Sequence, residues 1–341
     1  MERGDKVIVT GGAGYIGSHT VVELITGLGV EVVSIDNFAN SSPGVFDRIE
    51  KITGYRVRNH QVDLCDLDAV RRIVSAEKGI IGIIHFAAFK SVPESMHEPY
   101  KYYHNNTESL LNMLKVVVEN EIPSFIFSSS CSVYGNISQL PVSEDTPFGR
   151  AESPYAFTKQ MGERIVEDHS RTYPWLKAVS LRYFNPVGAH TSALIGEDPI
   201  NPPTSLVPVI TRTASGKNRK LIVHGNDYDT RDGSCIRDYV HVSDIAYAHV
   251  RALQHAIESL PGYSVFNLGT GNGISVLEAI EAFERVTGMK LEHAIGPRRE
   301  GDVAAIYSDT RRSQNVLKWT ARHDLDEMMR SAWAWEQQQS R

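Results

Sequence analysis

The sequence predicts an α/β protein with a doubly wound parallel sheet, and two observations support this fold class. Short β-branched segments recur through the first half, at residues 6–10, 31–35, 56–62, 80–86, 124–127 and 178–181. Most are separated by stretches of helical periodicity, such as residues 107–118, where leucine and valine recur every three or four positions. Because parallel neighbours need a crossover, this alternation predicts a sheet covered on both faces, with ligands beyond the carboxyl ends of its strands.

The second half of the chain has a different pattern. Glycine, proline and asparagine punctuate residues 186–233, which we expect to form mainly loops around a strand at 220–224. A helix is expected from residue 242, a strand at 263–268, and helices at 276–287 and 325–337. We therefore predict a main domain of residues 1–186, to which residues 238–266 return, and a smaller mixed α/β lobe of residues 187–237 and 267–341.

Composition narrows the possible function classes. A net charge of −6 gives no general affinity for nucleic acid or anionic membranes, and no apolar run is long enough to span a bilayer. The N-terminus has no signal-peptide pattern. Cys65, Cys131 and Cys235 are far apart and odd in number, which indicates reduced thiols and a cytoplasmic setting. The 13 histidines form no metal-binding motif, so we expect no metal.

A glycine-rich turn follows the first predicted strand. Gly11, Gly14 and Gly17 separate that strand from a helical stretch, which is the pattern of a turn that cradles a pyrophosphate at a helix N-terminus. Asp36 lies 19 residues beyond Gly17, at the end of the second strand. A carboxylate there would accept hydrogen bonds from a ribose and repel a 2′-phosphate. The turn and the acid together predict a Rossmann-type domain that binds NAD rather than NADP.

Two weaker observations accompany this motif. Residues 37–41 contain no lysine or arginine that could bind a 2′-phosphate, in agreement with NAD. Asp63 follows the third predicted strand, where an acid could contact adenine, although acids at strand ends are common.

Tyr155 and Lys159 form a candidate reactive pair. They are four residues apart at the start of a predicted helix and therefore share one face. A neighbouring ammonium, and the positive nicotinamide of bound NAD, would each favour the phenolate and make the tyrosine a usable base near neutrality. Most tyrosine–lysine pairs at this spacing are solvated surface residues, so the hypothesis depends on the nucleotide fold around them.

Serines cluster upstream of this pair, at a predicted strand end. Ser130 and Ser132 belong to the segment 128–132 and could orient a substrate hydroxyl, although serines also commonly end strands. No histidine or carboxylate accompanies them in a nucleophile-elbow pattern, which argues against serine nucleophilic catalysis.

These motifs together resemble the extended short-chain dehydrogenase/reductase family and, more narrowly, its UDP-hexose 4-epimerases. The resemblance covers nearly the whole chain, and the more specific motifs lie in its second half. The residues that carry it are TGGAGYIGSHT at 10–20, IDNFANS at 35–41, IHFAAFKSVPES at 84–95, FSSSCSVYG at 127–135, SPYAFTK at 153–159, LRYFNPVGAH at 181–190, GNDYDTRDGSCIRDYVHVSD at 225–244, NLGTG at 267–271 and RREGD at 298–302.

The resemblance implies a set of site residues. Tyr155, Lys159, Ser130 and Ser132 would be catalytic. The implied NAD contacts are Gly11, Gly14, Tyr15, Ile16, Gly17, Asp36, Asn37, Asn40, Ser41, Asp63, Leu64, Phe86, Ala87, Ala88, Lys90, Asn105, Ser130, Tyr155, Lys159, Tyr183 and Phe184. The implied substrate contacts are Lys90, Ser130, Ser132, Tyr155, Asn185, Ser205, Leu206, Arg237, Arg299 and Asp302, of which the two arginines would grip the diphosphate of UDP.

The resemblance also implies the reaction, which interconverts UDP-glucose and UDP-galactose by transient oxidation at C4, and a homodimer formed through helices such as residues 97–120. Two positions depart from the family pattern. Thr204 and Ser205 stand where many relatives have asparagine or histidine, and Ile306 is intermediate in size at the position that governs acceptance of N-acetylated sugars. Whether such sugars are substrates stays open.

Two alternatives remain. A nucleotide-sugar 4,6-dehydratase would share the fold, NAD and the Tyr155–Lys159 pair, but it needs an acid beside the strand-end serine, where this chain has Cys131 and Ser132. A non-catalytic NAD-sensing module would also share the fold, but it would be free to lose the catalytic residues that are present here.

Overall fold

A seven-stranded parallel sheet forms the centre of the computed structural model, which describes residues 4–200, 203, 205–218, 220–299 and 302–339. The strand order is β11-β6-β5-β4-β1-β2-β3, so the order reverses between β1 and β4. The strands of the chain are β1 Lys6–Thr10, β2 Glu31–Ile35, β3 Arg58–His60, β4 Ile80–His85, β5 Ser124–Ser130, β6 Lys177–Tyr183, β7 Asn185–Val187, β8 Leu221–His224, β9 Ile236–Arg237, β10 Tyr239–His241, β11 Gly262–Leu268, β12 Ile274–Ser275, β13 His293–Gly296 and β14 Ala305–Ile306.

Helices cover both faces of this sheet and build the second lobe. The α-helices are α1 Tyr15–Glu23, α2 Gly44–Thr53, α3 Leu67–Ala76, α4 Val92–His97, α5 Pro99–Glu119, α6 Pro154–Thr172, α7 Leu206–Ala214, α8 Val242–Glu258, α9 Val276–Thr287 and α10 Leu325–Gln339. Short π-helical turns lie at Leu24–Leu28 and Ser313–Leu317, and a 3₁₀ turn at Cys131–Tyr134. None of the helices described is long and apolar enough to cross a membrane.

The alternation of side chains along the central strands produces two apolar layers. Val7 and Val9 belong to a buried cluster that includes residues of α1, α2 and α8. Ile8 points the other way and belongs to a second cluster with residues of α3, α5 and α6. Because both faces of a parallel sheet are covered, its strands are apolar on both sides. The predicted doubly wound sheet is therefore confirmed.

The second lobe packs around its own apolar cluster. Ile210 of α7, Phe283 of α9 and Met329 of α10 are fully buried there, together with strand residues such as Leu221. Short strands complete the lobe in the pairs β8 with β13 and β7 with β10, and in the order β12-β9-β14. The division of the chain at residue 186 stays a prediction, which the joining of β11 to the main sheet supports.

The helix α7 lies in the stretch that the sequence predicted to be mainly loop. Its sequence, LVPVITRTA, contains a proline and several β-branched residues, which normally disfavour a helix. Pro208 is the third helical residue, however, where a backbone N–H has no intrahelical partner in any case. The proline is therefore tolerated, and the helix brings Leu206 to the mouth of the site described below.

Asp238 joins the second lobe to the end of the main sheet. Its side chain is fully buried and accepts hydrogen bonds from the backbone N–H and hydroxyl of Thr270, at 2.7 Å each, and from the N–H of Gly271 at 3.1 Å. The N–H and hydroxyl of Ser308 donate to it as well. A buried carboxylate is stable only when it is well bonded. These contacts fix the backbone of its neighbour Arg237.

Candidate functional site

A cavity of about 1590 Å³ runs along the carboxyl ends of six strands of the main sheet. Residues that follow β1, β2, β3, β4, β5 and β6 line it, and residues of the second lobe form its opposite wall. Every site residue predicted from the sequence lines this cavity. The position agrees with the rule that open α/β sheets bind ligands where the strand order reverses. The individual roles of these residues stay predictions.

The glycine turn after β1 has no room for side chains. Gly11 has a φ of +72°, and a Cβ there would lie 2.9 Å from the backbone nitrogen of Ala87. A Cβ on Gly17 would lie 2.1 Å from the carbonyl oxygen of Gly11. The turn therefore brings bare backbone to the cavity, and Gly14 precedes α1, whose first N–H groups have no intrahelical partner. This geometry fits a diphosphate.

Asp36 organises the loop beside this turn. Its carboxylate accepts hydrogen bonds from the N–H of Ala13 at 2.9 Å, the N–H of Phe38 at 2.9 Å and the hydroxyl of Ser41 at 3.1 Å. A carboxylate has room for about four hydrogen bonds, so acceptor capacity remains on the cavity side. Asp63, by contrast, caps its own turn by accepting from the N–H of Cys65 at 2.9 Å.

Tyr155 and Lys159 lie on the cavity face of α6, at the end of β5. Ser153 caps this helix by accepting from the N–H of Ala156 at 3.1 Å, and Pro154 is its first residue, both favourable choices at a helix start. The Lys159 ammonium donates to the carbonyl oxygen of Ser128 at 2.7 Å and lies 5.8 Å from the centre of the Tyr155 ring. The predicted pair is therefore close in space.

Burial controls the ionisation of both residues. Burial raises the pKa of Tyr155 to about 12, although a hydrogen bond with Ser130 acts in the opposite direction. Burial lowers the pKa of Lys159 to about 8, against the negative charge of Glu163. The sequence led us to expect a lowered pKa for Tyr155. The chain's own groups do not produce it, because the effect of burial exceeds that of the Ser130 hydrogen bond, and a further positive charge is needed near the phenol.

The serines after β5 complete this part of the wall. The Ser130 hydroxyl accepts from the N–H of Ser132 at 3.2 Å, which fixes the start of the 3₁₀ turn. The Ser132 hydroxyl is buried and makes no hydrogen bond with any residue that the structure describes. A buried hydroxyl without a partner is costly, so Ser132 is suited to bind a polar ligand group. No carboxylate belongs to the segment 130–133.

Arg237 and Asp302 mark the other end of the cavity. One guanidinium nitrogen of Arg237 donates to the carbonyl oxygen of Val303 at 2.8 Å, and another lies 3.3 Å from the Asp302 carboxylate. Arg237 is therefore held by the chain itself, with part of its donor capacity left for a ligand. Arg299 lines the same end of the cavity. Two guanidiniums at one end provide a local anion site in an acidic protein.

Comparison with known proteins decides the family. The model of the NAD dependent epimerase/dehydratase family matches residues 7–269. The chain belongs to this family. The resemblance inferred from the motifs is thereby confirmed.

Individual members of the family are similar over nearly the full length. A UDP-glucose 4-epimerase of Erwinia amylovora is 44% identical over 333 residues, which cover 98% of each chain. The crystal structure of UDP-glucose 4-epimerase from Bifidobacterium longum, in complex with NAD⁺ and UDP, is 43% identical with a TM-score of 0.94, over 98% of this chain and 99% of that one. That of Stenotrophomonas maltophila, with bound NAD and formylated UDP-arabinopyranose, is 42% identical with a TM-score of 0.95, over 98% and 99%.

The structure adds residues to the cavity that the motifs of this family did not lead us to predict. Ile222 and His224 of β8, Tyr239 of β10 and Val276 of α9 line the end near Arg237. They form a mixed apolar and aromatic wall. Sequence reasoning predicted β8 as a strand, but its pairing with β13, which decides which side chains face the cavity, has no local signal.

A second addition is the segment 196–198, which we call the strap. Glu197 accepts a hydrogen bond from the Lys90 ammonium at 2.9 Å, and this ammonium lies 5.7 Å from the centre of the Tyr15 ring. The indole N–H of Trp335 donates to the Glu197 carbonyl at 3.2 Å. Arg48 of α2 lies 3.8 Å from Asp198. The strap is thus bonded to Lys90 and Arg48 of the main domain and to Trp335 of the second lobe, and it lies beside the glycine turn.

Proposed function

We propose that the protein is an NAD-dependent isomerase that inverts C4 of a UDP-hexose and interconverts UDP-glucose and UDP-galactose. The observation that carries this proposal is the convergence of Tyr155, Lys159 and Ser132 in the middle of one cavity. A glycine turn with Asp36 lies towards one end and a pair of guanidiniums towards the other. The similarity to UDP-glucose 4-epimerases over the full chain supports it.

The cofactor end fits NAD. The glycine turn at Gly11 and Gly17 admits a diphosphate where any side chain would collide with backbone. Asp36 would accept from the adenosine ribose and disfavour a 2′-phosphate, and Lys159 would reach the nicotinamide ribose. When bound, NAD supplies a reversible hydride acceptor, so that C4 of the sugar can pass through a ketone.

The chain's own residues handle the proton. The Tyr155 oxygen takes the proton of the 4-hydroxyl as the carbonyl forms, and returns it as the carbonyl is reduced. The Lys159 ammonium stabilises the phenolate, and the oxidised nicotinamide provides the further positive charge that burial makes necessary. Ser132, which has a buried hydroxyl without a partner, binds the reacting oxygen together with Ser130.

The substrate end anchors UDP. Arg237 and Arg299 bind the diphosphate, Asp302 the ribose, and the wall at Ile222 and Tyr239 the base. With the UDP part anchored at this end, the sugar is free to turn and present either face of C4. This loose hold is what inversion by return to the opposite face requires.

The range of sugars depends on the wall beside the hexose. Ile306 of β14 is buried and lines the cavity with Phe184. Ser205 precedes α7 but makes no side-chain capping bond, so that its hydroxyl is free for a ligand. Ile306 is smaller than a tyrosine and Ser205 is smaller than a histidine, so an assay of the substrate range must include N-acetylated sugars.

The test is an assay of the purified protein on UDP-glucose, UDP-galactose and their two N-acetylated counterparts, without added NAD. We expect glucose and galactose forms to interconvert, and acid denaturation to release nearly one NAD per chain. An absolute requirement for stoichiometric external oxidant would refute the proposal. Accumulation of a stable 4-keto-6-deoxy product would identify a dehydratase instead.

We also infer that the protein is a homodimer that pairs through α5 and α6. Tyr100, Tyr103 and Leu111 of α5 and Phe157 of α6 are exposed large side chains, and the rings of Tyr103 and Phe157 meet edge to face at 6.2 Å. Exposed apolar side chains gathered on adjacent helices favour association. The three free cysteines further favour a reducing, cytoplasmic setting, which cell fractionation would test.

Leu111→Glu is expected to convert the dimer into a monomer, because each subunit would bury an unpaired carboxylate in the interface. Sedimentation velocity measures the change. Leu260→Glu, at another exposed leucine between α8 and β11, is the matched control and should leave the assembly unchanged. A wild-type protein that sediments as a monomer at micromolar concentration would contradict the inference.

A further inference from the structure

Glu163 is a buried carboxylate behind the reactive pair that the proposed chemistry does not use. It is 2% exposed and pairs with Arg182 of β6, whose guanidinium donates to its two oxygens at 2.8 and 2.6 Å. The hydroxyl of Ser129 also donates to it. A buried ion pair is costly to desolvate and need not stabilise the fold. Its presence here is therefore better explained by a role in the neighbouring site.

Three successive turns of α6 engage three consecutive residues of β5. Tyr155, Lys159 and Glu163 are four residues apart and share one helix face. Lys159 bonds to the carbonyl of Ser128 and Glu163 to the hydroxyl of Ser129, and Tyr155 lies near enough to Ser130 for that hydroxyl to lower its pKa. The Glu163 contact therefore fixes the register in which the reactive pair meets the end of β5.

Arg182 extends this network to the rest of the sheet. It donates to the hydroxyl of Tyr134 at 3.0 Å, which in turn donates to the amide oxygen of Asn267 in β11 at 2.6 Å. Glu144 accepts from the N–H of Asn267 at 2.8 Å. Glu163 thus ties the catalytic helix to β5 through Ser129, to β6 through Arg182, and to β11 through the hydroxyl of Tyr263, which donates to it at 3.4 Å.

The charge of Glu163 also acts on Lys159. Lys159 is 6% exposed, and burial disfavours its charged form. Tyr155 and Glu163 of its own helix and His85 of β4 are the titratable groups that face it, whereas Arg182 of β6 and Tyr263 of β11 contact Glu163 instead. Burial holds the pKa of His85 at about 3, so His85 is neutral. Glu163 is the carboxylate of this set that acts directly on Lys159.

We propose that Glu163 is a positioning residue: held by Arg182 and Ser129, it keeps α6 in register with β5 and keeps the Lys159 ammonium charged beside Tyr155. The proposal rests on the epimerase function inferred above. It assigns Glu163 no contact with substrate or cofactor, and its effect reaches the reaction only through Lys159.

The expected consequence is a change in pH dependence. Lys159 stabilises the phenolate while it is protonated, so activity declines as the pH rises through its pKa, which is about 8. Glu163 opposes the effect of burial and raises this pKa. Glu163→Gln keeps the shape of the side chain but removes its charge, and leaves the charge of Arg182 uncompensated. Both changes lower the pKa of Lys159, so the alkaline limb of the kcat profile moves to lower pH.

The test compares kcat profiles between about pH 6 and 10 for four proteins: wild type, Glu163→Gln, the double variant Glu163→Gln with Arg182→Met, and Glu144→Gln. We expect the alkaline limb to shift down by about one unit in Glu163→Gln, in line with the loss of one nearby charge. The double variant has no unpaired arginine, and it should shift less. Glu144→Gln, in the same network but not among the groups that act on Lys159, should not shift.

A second readout needs no turnover. The rate at which an amine-reactive reagent labels Lys159 depends on the fraction of neutral amine. Measured by mass spectrometry across the same pH range, this rate reports the pKa of Lys159 directly. An inactive wild type with the expected labelling shift would refute the epimerase function and leave the role of Glu163 standing. A uniform fall in kcat at every pH, with unshifted labelling, would show a purely structural role and overturn the proposal. If Glu163→Gln does not fold, the double variant decides between these outcomes.

Discussion

Tyr155→Phe is expected to lower kcat by a factor of about 10² to 10⁴, the usual contribution of a general acid–base group. The substitution removes one oxygen, which bonds to Ser130, and keeps the ring that Lys159 approaches at 5.8 Å. The helix cap at Ser153 is unaffected. NAD content and thermal stability should therefore stay close to those of the wild type, while the proton of the 4-hydroxyl has no acceptor.

The measurement is a coupled assay of UDP-galactose conversion, with released NAD quantified in the same samples. Tyr247→Phe is the matched control, since it removes a phenolic oxygen from α8 outside the cavity. The role given to Tyr155 is wrong if turnover survives its replacement within a factor of about ten, a loss worth only about 1.4 kcal/mol of transition-state stabilisation.

Gly17→Ala should remove bound NAD. The new Cβ would lie 2.1 Å from the carbonyl oxygen of Gly11, a backbone atom that can move only if the turn opens. Overpacking of this kind costs about 1–3 kcal/mol. If that cost falls on the bound conformation of the turn, NAD binds about ten- to a hundredfold more weakly, because each 1.4 kcal/mol is a factor of ten. The purified variant should contain little NAD and regain activity when NAD is added in excess.

Gly27→Ala provides the comparison. This glycine lies in the π-helical turn after α1, and a Cβ there would meet its nearest atom, a carboxylate oxygen of Glu23, at 3.9 Å. We expect full NAD content and an unchanged dissociation constant by isothermal titration calorimetry. Equal NAD retention by Gly17→Ala and Gly27→Ala would show that the glycine turn is not part of the cofactor site.

The local parts of the site could be predicted from the sequence. The glycine turn and Asp36 belong to one strand–helix–strand unit, and Tyr155 and Lys159 to one helix turn, so spacing alone constrains them. The doubly wound parallel sheet followed from the alternation of strands and helices. The helix α7 was not predicted because its proline and β-branched residues have low helix propensity. Burial of its apolar side chains in the cluster of the second lobe stabilises it.

Long-range pairs could not be predicted in this way. Lys90 and Glu197 are separated by 107 positions and meet only because the second lobe folds over the sheet. Arg182 and Glu163 belong to different elements whose register depends on the packing of α6. The direction of the pKa shift of Tyr155 could not be predicted from the sequence either, because the degree of burial depends on every element around the cavity.

The strap at residues 196–198 bears on how firmly the protein retains its cofactor. It lies beside the glycine turn, bonded to Lys90 and held by Trp335, whereas the wall near Arg237 is built from other elements. If the nucleotide can leave only when the Lys90–Glu197 pair opens, product can depart through the other end without releasing it. The rate at which the two sugars interconvert would then be insulated from the ratio of oxidised to reduced pyridine nucleotide in the surrounding solution.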